Sequence, residues 1–146
     1  MEFQSEAQAQ CYYKFAAWMS ELFGHIPWEP LDEPGFGLFM GSAWVEVHIY
    51  PWNEDAVINI RSTVATGTSL SPDLLNYLLR ENAVLRFGAF SVSQQGDVLF
   101  EHTIVGSTCD PKELETSVIA VLKTADDYDD PIVARWGGSR ALDRTP

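Results

Sequence analysis

The chain has 146 residues, with 21 acidic against 9 basic side chains and a net charge of −12. Charge of that sign and size excludes nucleic acid and an anionic membrane surface as partners, because binding either depends on Lys and Arg neutralising phosphates. A length of this order fits one domain with its own core, and 46% apolar with 12% aromatic residues excludes a disordered chain.

Two readings of the acidity stay open: attraction of a basic polypeptide, or simple solubility for an aromatic-rich protein. Cys11 and Cys109 fall in no C-x-x-C or framework spacing, which predicts free thiols in a reducing compartment. The opening MEFQSEAQAQ has neither the basic start nor the apolar stretch of a signal peptide, and no run reaches the length of a membrane span. A cytoplasmic protein is expected.

The first helix is marked by Cys11, Tyr12, Phe15, Trp18, Met19, Leu22, Phe23 and Ile26 on one arc at 100° per residue, with Ser5 and Gln8 as a capping box and Gly24 as a stop. On that stripe Trp18→Ala is expected to cost about 3–5 kcal/mol. Residues 25–35, HIPWEPLDEPG, read as loop from their three prolines. The period then changes to two: a strand over Gly37–Met40, the Gly41-Ser42 turn, a strand in which Ala43, Val45, Val47 and Ile49 alternate with Trp44, Glu46, His48 and Tyr50, and a third over Val57–Thr66. Short turns between them imply an antiparallel meander.

Ser71-Pro72-Asp73 opens a second helix running to about Asn82. Leu74, Tyr77 and Leu78 share one face, with Leu75 and Leu79 roughly 100° away. That arc is wider than one interface, so a second copy of the chain or further burial in the same domain must cover the extra leucines. Strands at Arg86–Ser93 and Val98–Val105 form a hairpin across Gln94–Asp97. Asp110-Pro111 caps a final helix, with Leu114, Val118, Val121, Leu122, Ala125, Tyr128, Ile132 and Trp136 on one face and Pro131 at a kink or restart. The reading is one α+β domain over residues 1–138, a five-stranded antiparallel sheet with packed helices in the order α-β-β-β-α-β-β-α, and a flexible tail over 139–146.

That order, with the LRFGAF and GDVLFEH strands, the DPKEL helix start and the TADDYDDPIVARWGG ending, resembles the YbjN group of the type III secretion chaperone-like superfamily over nearly the whole chain. The resemblance implies the same fold and a homodimer built through the middle helix and an adjacent strand. It also implies a small, acidic, cytosolic protein that holds an extended segment of a client polypeptide without ATP. The YbjN group is described as sensory or regulatory, which implies the alternative of a small ligand bound between helix and sheet.

Site residues follow. Leu75 and Leu79 are the expected dimer interface; Trp44, Tyr50 and Trp52 are either an aromatic peptide-binding platform or ordinary core. Asp126, Asp127, Asp129 and Asp130 lack the glycine and terminal glutamate of a calcium loop and read as a solvated acidic face that recruits a basic client. Glu46 and His48 project from one strand face, too few for a metal site, and no catalytic set or cofactor motif emerges. The expected protein is thus a non-enzymatic, dimeric chaperone-like or adaptor protein, with a polypeptide client or regulatory partner, no metal and no cofactor.

Overall fold

The computed structural model describes residues 1–41 and 43–141; Ser42 of the expected turn and residues 142–146 of the expected tail lie outside the described residues. Among them the elements are α1 Glu6–Phe23, β1 Trp28–Pro30, β2 Gly35–Met40, β3 Ala43–Trp52, β4 Asp55–Thr66, α2 Pro72–Val84, β5 Ala89–Val92, β6 Val98–Val105, α3 Pro111–Trp136 and β7 Ser139–Arg140. All three helix starts use the caps legible in the sequence. The Ser5 Oγ accepts from Gln8 N at 3.1 Å, the Ser71 Oγ from Leu74 N at 3.2 Å and the Asp110 Oδ1 from Glu113 N at 2.7 Å, each satisfying a first-turn N–H that has no helical acceptor.

The strands form one antiparallel sheet in the order β1-β2-β3-β4-β6-β5, with β7 also on β4. Seven described strands replace the expected five. The first addition, β1, lies in the segment read as loop from its prolines; as the outermost strand it has one edge facing no ladder, where a residue without an N–H costs nothing. The second, β7, pairs Arg140 with Ala65 and Ser139 with Thr66, within the first two residues of the expected tail. The fourth expected strand is shorter, Ala89–Val92, because Gly88 turns the chain at φ 69°. The third helix runs unbroken through Pro131.

Ala43, Val45, Val47 and Ile49 of β3, with Ala56, Ile58, Ile60 and Val64 of β4, form the buried sheet face on which α1 and α3 pack. Phe15, Met19 and Phe23 of α1 and Leu114, Val118, Val121 and Leu122 of α3 are buried in the same cluster. Trp18 departs from expectation: it is only partly buried, stacked on Phe15 at 5.1 Å with Lys14 Nζ 5.3 Å from its ring. The helix α2 contributes Leu74 and Leu78 to the core and rests on α3 through Tyr77, whose ring meets Trp136 at 5.0 Å. Helices therefore cover one face of the sheet. Along β3 and β4 the opposite face, Trp44 to Trp52 at even positions and Asp55 to Thr63 at odd ones, keeps contact with solvent everywhere except at His48.

Candidate peptide-binding surface

Period-two alternation in β3 puts Trp44, Glu46, His48, Tyr50 and Trp52 on this uncovered face. Trp44 and Tyr50 are half-buried and Trp52 is 62% exposed, so none of the three is core. What holds Trp44 is Gly37 on β2: a Cβ there would fall 2.1 Å from two atoms of the indole, so the ring lies against bare backbone. Phe39, paired with Trp44 across the strands, adds a second ring at 4.6 Å between centroids and is 42% exposed. Together with Pro27, Trp28 and Glu29 these two rings line a shallow hollow of about 130 Å³.

A polar cluster fixes the middle of the row. Trp44 Nε1 donates to Glu46 Oε1 at 3.2 Å, and His48 Nε2 lies 2.6 Å from Glu46 Oε2, with Arg61 Nε 3.6 Å from the same oxygen. A lone pair on Nε2 at that distance would repel the carboxylate, so Nε2 carries the proton and donates it. His48 then stacks parallel to Tyr50 at 5.7 Å. The hydrogen bond from His48 is the main reason that Glu46 is held down to about 2 from 4.5, with Trp44 and the His48 and Arg61 charges helping and burial opposing.

A depressed carboxyl stabilises the fold above its unfolded value and loses that contribution as pH falls. Urea melts of Glu46→Gln are therefore expected to show a loss of about 1–2 kcal/mol at pH 7, discounted for partial exposure. The difference between variant and wild type shrinks as pH drops from 4.5 towards 2. Equal stability at pH 7 would mean that the cluster holds nothing.

The sheet edges are less available than the face. At β5 the Asn82 side chain donates to Phe90 O and accepts from Phe90 N at 2.7 Å, occupying both groups that this edge residue turns outward. At the other edge β1 is three residues long and ends on Pro30. The face is open and the edges are blunted.

The expected acidic face is revised at one position. Asp126, Asp127 and Asp130 are exposed, but Asp129 is 2% exposed and follows Ala125 on the buried stripe of α3. A helix advances 100° per residue, so Asp129, four residues after Ala125, falls about 40° from it on the inner side. Tyr128, read as part of the stripe, is half-buried, and its hydroxyl donates a hydrogen bond to Glu81 Oε2 at 2.5 Å. Leu75 and Leu79 are 39% and 68% exposed on α2, outside the core that takes Leu74 and Leu78.

Burial pushes the Cys11 thiol up to about 11 and the Cys109 thiol to about 12, so neither is a thiolate nucleophile at neutral pH. Among the described residues no three His, Cys, Asp or Glu side chains converge as metal ligands, and no helix is long and apolar enough to cross a membrane.

The architecture is that of an α+β sandwich with one bare sheet face, and comparison with known proteins gives it a family. The model for "T3SS (YopN, CesT) and YbjN peptide-binding chaperone 1" matches residues 15–144, and the chain belongs to that family. A search of curated proteins finds no match. Among solved structures, a chain in the structure of the HopA1-SchA chaperone-effector complex superposes with a TM-score of 0.63 over 84% of this chain and 96% of that one. At 9% identity, that likeness is one of fold.

Proposed function

We propose that this protein is a non-enzymatic, cytoplasmic chaperone-like or adaptor protein that works as a homodimer and holds a polypeptide segment of a partner on its bare sheet face. The observation that carries the reading is Trp44: a large ring, seated on Gly37 and half-open to solvent, beside the exposed ring of Phe39, with Trp52 exposed at the far end of the same strand. Solvent-facing aromatic anchors dominate protein recognition because they bury much area at little entropic cost. Family membership supports a peptide as the occupant. The exposed Asp126, Asp127 and Asp130, in a chain of net charge −12, favour a basic client.

Fluorescence anisotropy against a panel of short labelled peptides, apolar and basic in composition, tests this. Trp44→Ala is expected to weaken capture on the order of tenfold or more, with a stability loss of no more than about 1.5 kcal/mol because the ring is only half-buried. If the variant unfolds, the ring belongs to the fold and the platform is wrong. If it binds like wild type, the contact lies elsewhere.

One observation favours a second reading, a regulatory protein that senses a small ligand. Between α3 and β6 a hollow of about 430 Å³ is lined by Phe87, His102, Lys112, Glu113 and Ser117, and the buried Ser117 Oγ has no hydrogen-bond partner. A ligand retained there would appear in native mass spectrometry of the purified protein, where the peptide reading expects bare chain.

A further inference from the structure

We propose that a second hollow, at the end of β3 where the sheet meets the segment ahead of α1, seats a basic side chain of the bound polypeptide, arginine before lysine. This deepens the peptide-binding reading and rests on it. The hollow, about 490 Å³, is lined by Glu2 and Phe3 ahead of α1, Asp32 and Glu33 in the loop leading to β2, and His48 and Tyr50 of β3. Gln8 holds the three segments together: its Nε2 donates to Ile49 O at 2.8 Å and its Oε1 accepts from Gln4 N at 2.7 Å, while Ile49 N reaches Pro34 O at 3.0 Å.

Charge selects the occupant. Glu2, Asp32 and Glu33 put three carboxylates around the opening, and no Lys or Arg lines it. None of the three carboxylates is engaged in an ion pair among the described residues. Such a site repels anions. A metal ion would need ligands converging within bonding distance, and these do not converge. Carboxylates spread around a rim suit a delocalised organic cation with several donors pointing different ways.

His48 supplies an independent pointer. It is 6% exposed and lines the hollow, yet its Nδ1 has no hydrogen-bond partner. With Nε2 turned to Glu46, Nδ1 is left as a buried polar atom that no group among the described residues satisfies. A guanidinium offers five donors and a flat face for the half-exposed Tyr50 ring. The same strand spaces the contacts. Trp44 and Tyr50 are six residues apart on β3, about 20 Å at the rise of a strand, so an extended client that places an apolar side chain on Trp44 would bring its arginine to the hollow about six residues along.

Two probes separate this inference from the reading beneath it. In the first, Nα-acetyl-arginine methylamide is titrated into the isotopically labelled protein and compared with its uncharged citrulline counterpart. Saturable amide shifts are expected at Glu33, Gly35, His48 and Tyr50 with the arginine compound alone, weakened at least about fivefold in the Asp32→Asn/Glu33→Gln variant, whose exposed substitutions leave the fold intact. Equal shifts from citrulline, shifts elsewhere or an unaffected variant would overturn the assignment.

In the second, peptides with an apolar residue six positions from Arg, Lys or citrulline are compared by anisotropy. Arg is expected to bind about tenfold tighter than citrulline, with Lys between. Peptides that bind without regard to that position overturn the hollow and leave the peptide reading standing. If the arginine compound fills the hollow and no peptide binds, the peptide reading falls and the assignment to a client falls with it.

Discussion

Replacing Phe15 by Ala is expected to lower the unfolding free energy by about 3–5 kcal/mol, a large part of the stability of an ordinary domain. Phe15 is fully buried between α1 and the sheet, and α1 cannot shift to fill the gap. Gln8 ties its first turn to Ile49 O and Lys14 ties its middle to Gly106 O at 3.0 Å. A helix pinned at two points leaves a cavity rather than collapsing, and that sets the cost at the upper end for a phenylalanine. Trp18→Ala, by contrast, is expected to cost about 1–2 kcal/mol, because the indole is partly in water and loses mainly its stack on Phe15. Urea melts of the two variants decide the phase of the helix. Equal losses would mean that α1 is rotated towards Trp18 and that Phe15 does not anchor the core.

The comparison of Phe15 with Trp18 also marks where sequence reading stops. Both lie on one apolar arc, and a helical wheel assigns an arc to the core without saying where its edge falls. The same coarseness placed Asp129 outside, although it sits one turn after Ala125 on the inner side of α3. Local signals did carry the caps at Ser5, Ser71 and Asp110 and the alternation that separates Val45 from Trp44, because each depends on residues within one turn or one pleat.

The missed elements depend on partners distant in sequence. Trp28–Pro30 is a strand only because β2 lies beside it, and its prolines alone argue for loop. The seat of Trp44 is a glycine on the neighbouring strand, and the Gly35-Phe36-Gly37 spacing shows its purpose only once β2 and β3 are in register. The clamp of Asn82 on Phe90 and the hollow around His48 likewise join segments that no local pattern links. Fold class was legible in the sequence; the geometry of the surface was not.

The second large effect expected is on assembly: Leu75→Glu with Leu79→Glu should turn a dimer into a folded monomer. The four α2 leucines divide into two sets, Leu74 and Leu78 buried in the core and Leu75 and Leu79 exposed one turn apart. Val84 at 66% and Val92 at 39% are the other exposed large apolar side chains of α2 and β5. Joining two sheets through β5 is disfavoured, because Asn82 already occupies the outward groups of Phe90. The proposed homodimer would therefore form on the helix face, where a two-fold axis would bring each leucine in twice.

Burying each is worth about 1.5–3 kcal/mol, whereas placing a glutamate there strands an unpaired charge. Light scattering should give twice 16.3 kDa for the wild type and 16.3 kDa for the double variant. The variant should keep its thermal transition, since both side chains face water in the single chain. A wild type that is monomeric at working concentration, or a variant that stays dimeric, would remove α2 as the interface. A variant that unfolds would mean instead that the leucines belong to the core after all.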